Sequence, residues 1–389
     1  MTPGQLGAYG FQMVLLSRAD DWALALSDGA TAIPSLPAGV PSANWGTVYS
    51  AIANGGRTRV DARFIEDASY VQTWNLDGAW AIATIGLAHT PAGLSADGRR
   101  LILVDAQPSP SQTRFAILDT QSSAEPRIVS LPGRYTFDAI SPDGLRFYVI
   151  EYGDALLGYS VRSVNAVTGS LDEGTIVDKR NLDEVMAGTA LQQRDGANGT
   201  ELTLYQGVAH PFVHVLNTVD RTAWCIDLPD AWVTNPAAAD AWGLALSADL
   251  ATLYVANPVL GVAAQVDLNT LQVVRSTTFA ASAAVSLAKF GEGGAGQPTG
   301  AMALSLDGAT LYLADASGVQ LIPTSTLKPA ARILAGTAIV SLGMSDTGNV
   351  LYAVGRDGTA YRVDAASGRV ISTLDGSGYT RVLRVITPN

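Results

Sequence analysis

A Ser-x-Asp-Gly turn recurs between short apolar runs, a second polar turn follows each copy, and charged residues make up only 15% of 389 residues. Together these features predict an all-β fold, a seven-bladed β-propeller of four-stranded antiparallel blades. In it the C-terminal strand pairs into the N-terminal blade and closes the ring. The expected organisation is a single domain over 1–389, with an irregular first blade at 1–86, six clearer blades at 87–376 and a closing strand at 380–389.

The repeat supports each element in turn. Its best copies are GLSADGRRLILVD from Gly93, AISPDGLRFYVIE from Ala139, LALSADLATLYVAN from Leu244, MALSLDGATLYLAD from Met302 and LGMSDTGNVLYAVG from Leu342. Each reads as a strand, a tight turn and a second strand. Asp or Ser at the corner bonds its own backbone, and Gly98, Gly144, Gly308 and Gly348 supply positive φ; Leu250 breaks the pattern in one copy. The second turn, as at Asn165–Gly169, Asn217–Asp220, Asp267–Thr270 and Asp364–Gly368, joins strands three and four. At the start, VYSAIA, TRVDARF and VQTWNLDG form a weaker first unit. At the end, TRVLRVITPN reads as a strand with no blade after it, and joining it to N-terminal strands removes two open sheet edges.

Composition narrows the function. The net charge of −11 and the absence of a basic run oppose nucleic-acid binding. Cys225 is the sole cysteine, so neither an intrachain disulfide nor a thiolate-rich metal site can form. No apolar stretch approaches the roughly 18 to 20 residues that span a bilayer. The first residues, MTPGQLGAYGFQMVLLSR, lack the basic start of a signal peptide.

The segment LYVANPVLGVAAQVDLNTLQVV, Leu253 to Val274, resembles the YVTN-type repeat of bacterial surface and periplasmic propellers. The stretch from Phe137 to Leu228, with IVDKRNLDE and HPFVHVLNTVDRTAWCIDLP, resembles secreted actinobacterial propellers. The resemblance implies a secreted, periplasmic or cell-envelope location, with any targeting segment outside the sequence as given. It brings no catalytic residues.

Blade geometry sorts the loops. Turns between strands one and two share a face with those between three and four; the other face collects the long connections 178–188, 229–241 and 280–300, where propellers bind ligands. The residues expected at a binding mouth there are Glu151, Tyr152, Lys179, Arg180, Glu184 and His210, with Asp183 beside them and Trp232 and Trp242 bordering the next loop. The competing reading of the 179–184 charges is a solvated ion-pair cluster.

Other motifs dissolve on inspection. His210 and His214 on an extended strand have α-carbons about 13 Å apart, which disfavours joint metal chelation. They read as a surface and a sheet-packing histidine. GEGGAG at 291–296 matches a dinucleotide fingerprint but is followed by Gln297-Pro298 and a strand where a helix is required. DGANG at 195–199 lacks the spaced acids of a calcium loop, so calcium has no support and the run reads as a lengthened hairpin turn. No serine lies in a G-x-S-x-G elbow. Trp74 and Trp224 read as blade-packing residues.

The expected function is a non-catalytic cell-envelope or secreted binding propeller. It would take a protein, a peptide or a small polar ligand on the long-loop face, with no metal and no cofactor. The alternative is a lactonase-like or quinoprotein-dehydrogenase-like enzyme using Glu151, Arg180 and His210 at the channel mouth.

Overall fold

Strands such as Leu101–Val104 and Phe115–Leu118 are apolar without a break, because both faces of their sheet are covered. Leu101, Leu103, Ala116 and Leu118 pack with Trp80 of their own sheet against Trp74 and Leu76 of the preceding one; Ile102, Phe115 and Ile117 pack toward the following one with Phe137, Phe147 and Val149. Period-two alternation thus divides one strand between two cores. The same layering recurs between each later pair of sheets. Emptying one layer, as by Phe115→Ala, costs about 3–5 kcal/mol.

The computed structural model describes residues 11–14, 22–26, 31–32, 47–64, 70–85, 90–91, 93–107, 109–152, 158–178, 186–232, 236–239, 241–283, 301–345, 348–374 and 381–386. Among these, helix is confined to Pro236–Ala239 and a 3-10 turn at Ala197–Gly199. Antiparallel meanders of four strands run from Thr31 to Asp77, Trp80 to Pro132, Gly243 to Thr278, Met302 to Ile333 and Ile339 to Leu374. A seven-stranded sheet from Tyr135 to Asp227 joins two further units through Gly158↔Ala187 and Tyr159↔Met186. In the first of these, bridges Val161↔Ile176 and Val164↔Leu171 supply the missing outer edge.

Two boundaries differ from expectation. Trp80–Ile82 pairs with Arg100–Asp105 and so opens the second meander instead of ending the first. The strand Arg381–Ile386 does pair with an N-terminal strand, Trp22–Leu26, but in a three-stranded sheet with Phe11–Val14, separate from the Thr31–Asp77 meander.

The turns behave as their chemistry dictates. In each of four copies the serine hydroxyl donates to the aspartate, as Ser95 to Asp97 and Ser305 to Asp307 at 2.6 Å, and the aspartate accepts the backbone N–H two residues on. Leu250 takes the left-handed backbone that glycine takes elsewhere, φ 58° against 71° at Gly308.

The two loop faces separate as expected. N–H donors in the strand three-to-four turns bond carbonyls beside the strand one-to-two turns: Thr120 to Arg99, Ala166 to Leu145, Leu268 to Ala251, Thr324 to Ala309 and Ala365 to Asn349. On the opposite edge, the connections between meanders bond the strand two-to-three turns, as Gly133 to Ser111, Leu228 to Pro211 and Gly336 to Ser317.

Candidate functional site

On the long-loop face, the seven-stranded sheet holds a cleft of about 210 Å³ lined by Met186, Ala187, Gly207, Val208, Ala209, His210, Phe212, Cys225 and Asp227. Three elements build it. Met186 opens the strand Met186–Asp195, the turn after Thr200–Gly207 carries Val208 to His210, and Pro211–Asn217 pairs with Thr222–Asp227 so that Phe212 faces Asp227 and His214 faces Cys225.

His210, which the sequence placed at a mouth on this face, lines the cleft. Its Nε2 lies 3.1 Å from Asp227 Oδ1 and its Nδ1 lies 3.2 Å from Asp230 Oδ1, so the ring links the 207–210 turn to the segment after Asp227. Val208 beside it is 71% exposed, an apolar side chain at the rim. His214 is fully buried inside the same sheet, as a sheet-packing histidine should be.

Glu151 and Tyr152 lie on this face, but their side chains are engaged. Glu151 accepts the Tyr135 hydroxyl at 2.7 Å and pairs with Arg162 at 2.8 Å; Arg134 stacks over the Tyr152 ring at 5.8 Å. The position of Glu151, at the end of a second strand, repeats around the fold. Asp105 there pairs with Arg114 at 3.3 Å, and Asp315 with Arg332 and Gln320. A carboxylate–arginine contact recurring in three meanders is a blade fastening. Burial alone would push the Asp315 carboxyl up, but hydrogen bonds from Arg332, Gln320 and the Ser317 N–H hold it below the usual range.

Lys179, Arg180, Asp183 and Glu184 lie outside the described residues, as do His89 and the GEGGAG segment. Trp232 and Trp242, expected at a loop border, are core: their rings meet at 6.1 Å and both are buried. Trp74 is buried and Trp224 packs against the core, as blade-packing residues. DGANG forms the turn linking Met186–Asp195 to Thr200–Gly207.

Beneath the cleft lies a polar interior that sequence reasoning missed. Tyr159, Tyr205 and Phe212 stack with centroids 5.2 Å apart, and His214 meets Tyr205 edge-on at 6.0 Å. His214 Nδ1 lies 3.8 Å from Cys225 Sγ, and the Cys225 N–H donates to the buried Asp178 carboxylate at 3.0 Å. Burial pushes the His214 ring down to about 4 against the opposing pull of Asp178, so it is neutral at pH 7. Asp138, 1% exposed, sits at a β-bulge between Phe137 and Ala139, and burial pushes its carboxyl up to about 7. The one signal in the sequence was a lone aspartate inside the apolar run YTFDAI.

No protein-family model matches the chain, and no curated protein matches it. Among solved structures, Sqt1 of Saccharomyces cerevisiae is 11% identical, with 90% of this chain and 87% of that chain covered at a TM-score of 0.57. Apo AztD from Citrobacter koseri is 10% identical, with 95% and 96% covered at a TM-score of 0.57. The fold is of the β-propeller type. Identity this low carries the architecture alone, so function rests on the site. No described helix is long and apolar enough to cross a membrane.

Proposed function

We propose that the chain is a secreted or cell-envelope binding propeller that receives a protein or peptide segment, or a small polar ligand, in the cleft beside His210. The observation that carries this reading is the lining of that cleft: exposed Val208 and the Phe212 ring stand beside His210 and Asp227 on the loop-rich face. Apolar contact area with a few convergent polar groups is the usual composition of a ligand site. The export half of the proposal draws on the resemblance of Leu253–Val274 to YVTN-type repeats.

In this reading the seven meanders between 31 and 374 form a ring, which the sheet built from both chain ends completes. Ring closure explains why Arg381–Ile386 pairs with Trp22–Leu26. Removal of residues 380–389 should lower the unfolding midpoint and promote association through exposed edges.

The binding reading is tested by thermal-shift and calorimetric screening of short peptides and small polar solutes. Val208→Glu alters only the rim, so it preserves the fold. A ligand at a hundred times its Kd should stabilise the wild type by about 2.7 kcal/mol, and Val208→Glu should abolish most of that gain. Ligands that bind Val208→Glu as well as wild type would remove the cleft from the proposal.

A further inference from the structure

Two carboxylates share one imidazole at the rim of the cleft. His210 Nε2 lies 3.1 Å from Asp227 and its Nδ1 lies 3.2 Å from Asp230. An ionised carboxylate only accepts, whereas a neutral imidazole has one N–H and one lone pair, so the neutral ring satisfies one of these contacts and opposes the other. Both hold together only when both ring nitrogens carry a proton.

The two carboxylates are not supported alike. Asp227 ends the strand Thr222–Asp227 and faces Phe212 in the ladder, and the next N–H, that of Leu228, donates to the Pro211 carbonyl at 3.0 Å. His210 is fixed beside it: a Cβ at Gly207 would stand 2.3 Å from the His210 carbonyl oxygen, so the 207–210 turn is closed tightly on itself. Asp230 lies beyond the strand, in a turn that the Trp232 N–H closes on the Pro229 carbonyl at 2.9 Å, and its side chain is 93% exposed. Among the described residues of the lining, the other titratable group is the Cys225 thiol; the start of the strand Met186–Asp195 and the 207–209 turn bring no charge to the ring.

We propose that His210 is a pH-operated clasp on this cleft. Doubly protonated, the ring ties Asp230, at the head of the 229–241 connection, to Asp227 on the sheet; neutral, it keeps Asp227 and lets Asp230 go. Histidine is the side chain that ordinarily changes charge between about pH 5 and 8, so the clasp closes toward acid and opens toward alkali. Opening leaves a free carboxylate at the mouth, and pH thereby sets the charge that a ligand meets there. The inference rests on the cleft being the binding site proposed above and adds its regulation.

The clasp is tested without a ligand, by hydrogen exchange of the full chain. The Trp232 amide is the reporter, read by mass spectrometry on peptides spanning 226–232 and corrected for the intrinsic effect of pH. Exchange in wild type should be about two- to fivefold slower at about pH 5.5 than at about pH 8, the range that an exposed ion pair supports. Asp230→Asn offers a donor as well as an acceptor and so meets the ring in either charge state. Its exchange should be indifferent to pH, as should that of His210→Gln, which has no proton to gain. Wild-type exchange that is the same at both pH values overturns the proposal, as does a pH response that survives in either variant. If the response is absent while ligands still bind in a Val208-dependent way, the clasp falls and the binding function stands. If the response is present in a chain that binds no peptide or polar solute, the clasp stands and the binding reading falls.

Discussion

The Tyr312 hydroxyl donates to the carbonyl oxygen of Ala365 at 2.9 Å, tying the second strand of one meander to the strand three-to-four turn of the next. Tyr148 makes the same bond to Thr218, and the Tyr49 hydroxyl bonds the Thr120 side chain. The tyrosine of the repeat is thus an inter-sheet latch, its ring in the core and its hydroxyl on the neighbour's turn. Tyr148→Phe and Tyr312→Phe should each lower unfolding free energy by about 1–2 kcal/mol, because a buried acceptor loses its donor. The two sites are in different sheet pairs, so the losses should add in denaturant titrations.

Leu250 occupies left-handed backbone that costs a side-chain-bearing residue roughly 1 kcal/mol. Its turn is otherwise intact, with Ser247 donating to Asp249 and Asp249 accepting the Ala251 N–H. Leu250→Gly should therefore raise the denaturant midpoint with an unchanged slope, a gain of about 0.5–1 kcal/mol. A lower midpoint would mean that the partly exposed leucine packs against something worth more than the relieved strain.

Asp138 and His214 predict opposite pH dependences. The folded Asp138 carboxyl titrates at about 7 and an ordinary one at 3.8, so the folded state holds the extra proton between them. Its contribution is complete below about pH 4 and fades as pH rises through 7, by on the order of 4 kcal/mol at most. The folded His214 ring titrates at about 4 against 6.5, so its contribution is present above pH 6.5 and fades as pH falls toward 4. Thermal midpoints from pH 4 to 8 should show Asp138→Asn flattening the alkaline fall and His214→Gln flattening the acid fall.

The carboxylate fastenings should matter to stability according to burial. Asp315 is 1% exposed and holds Arg332, Gln320 and the Ser317 N–H, so Asp315→Ala should cost about 3–5 kcal/mol. Glu151, at the equivalent place but partly exposed, should cost about 1 kcal/mol as Glu151→Gln, measured by urea denaturation. A Glu151→Gln variant of unchanged stability but altered ligand affinity would return Glu151 to the binding mouth.

The repeat, the turn chemistry and the division of loops between two faces were legible in the sequence, because each depends on contacts within a few residues. A Ser-x-Asp-Gly turn closes on its own backbone, and apolar runs of fixed length become strands wherever they lie. The strand after His210 was legible for the same reason, since the run HPFVHVLNT reads as extended and Pro211–Asn217 is a strand.

What surrounds that histidine was decided only in three dimensions. Asp227 and Asp230 reach His210 across a hairpin, Met186 joins Cys225 in one cleft from the far side of a sheet, and Trp232 and Trp242 turn inward onto each other. The pairing of residues near 22 with residues near 386 is of the same kind. Local sequence sets strands and turns through short-range sterics and hydrogen bonds, whereas these partners are chosen by which sheets stack, and stacking is a property of the folded chain as a whole.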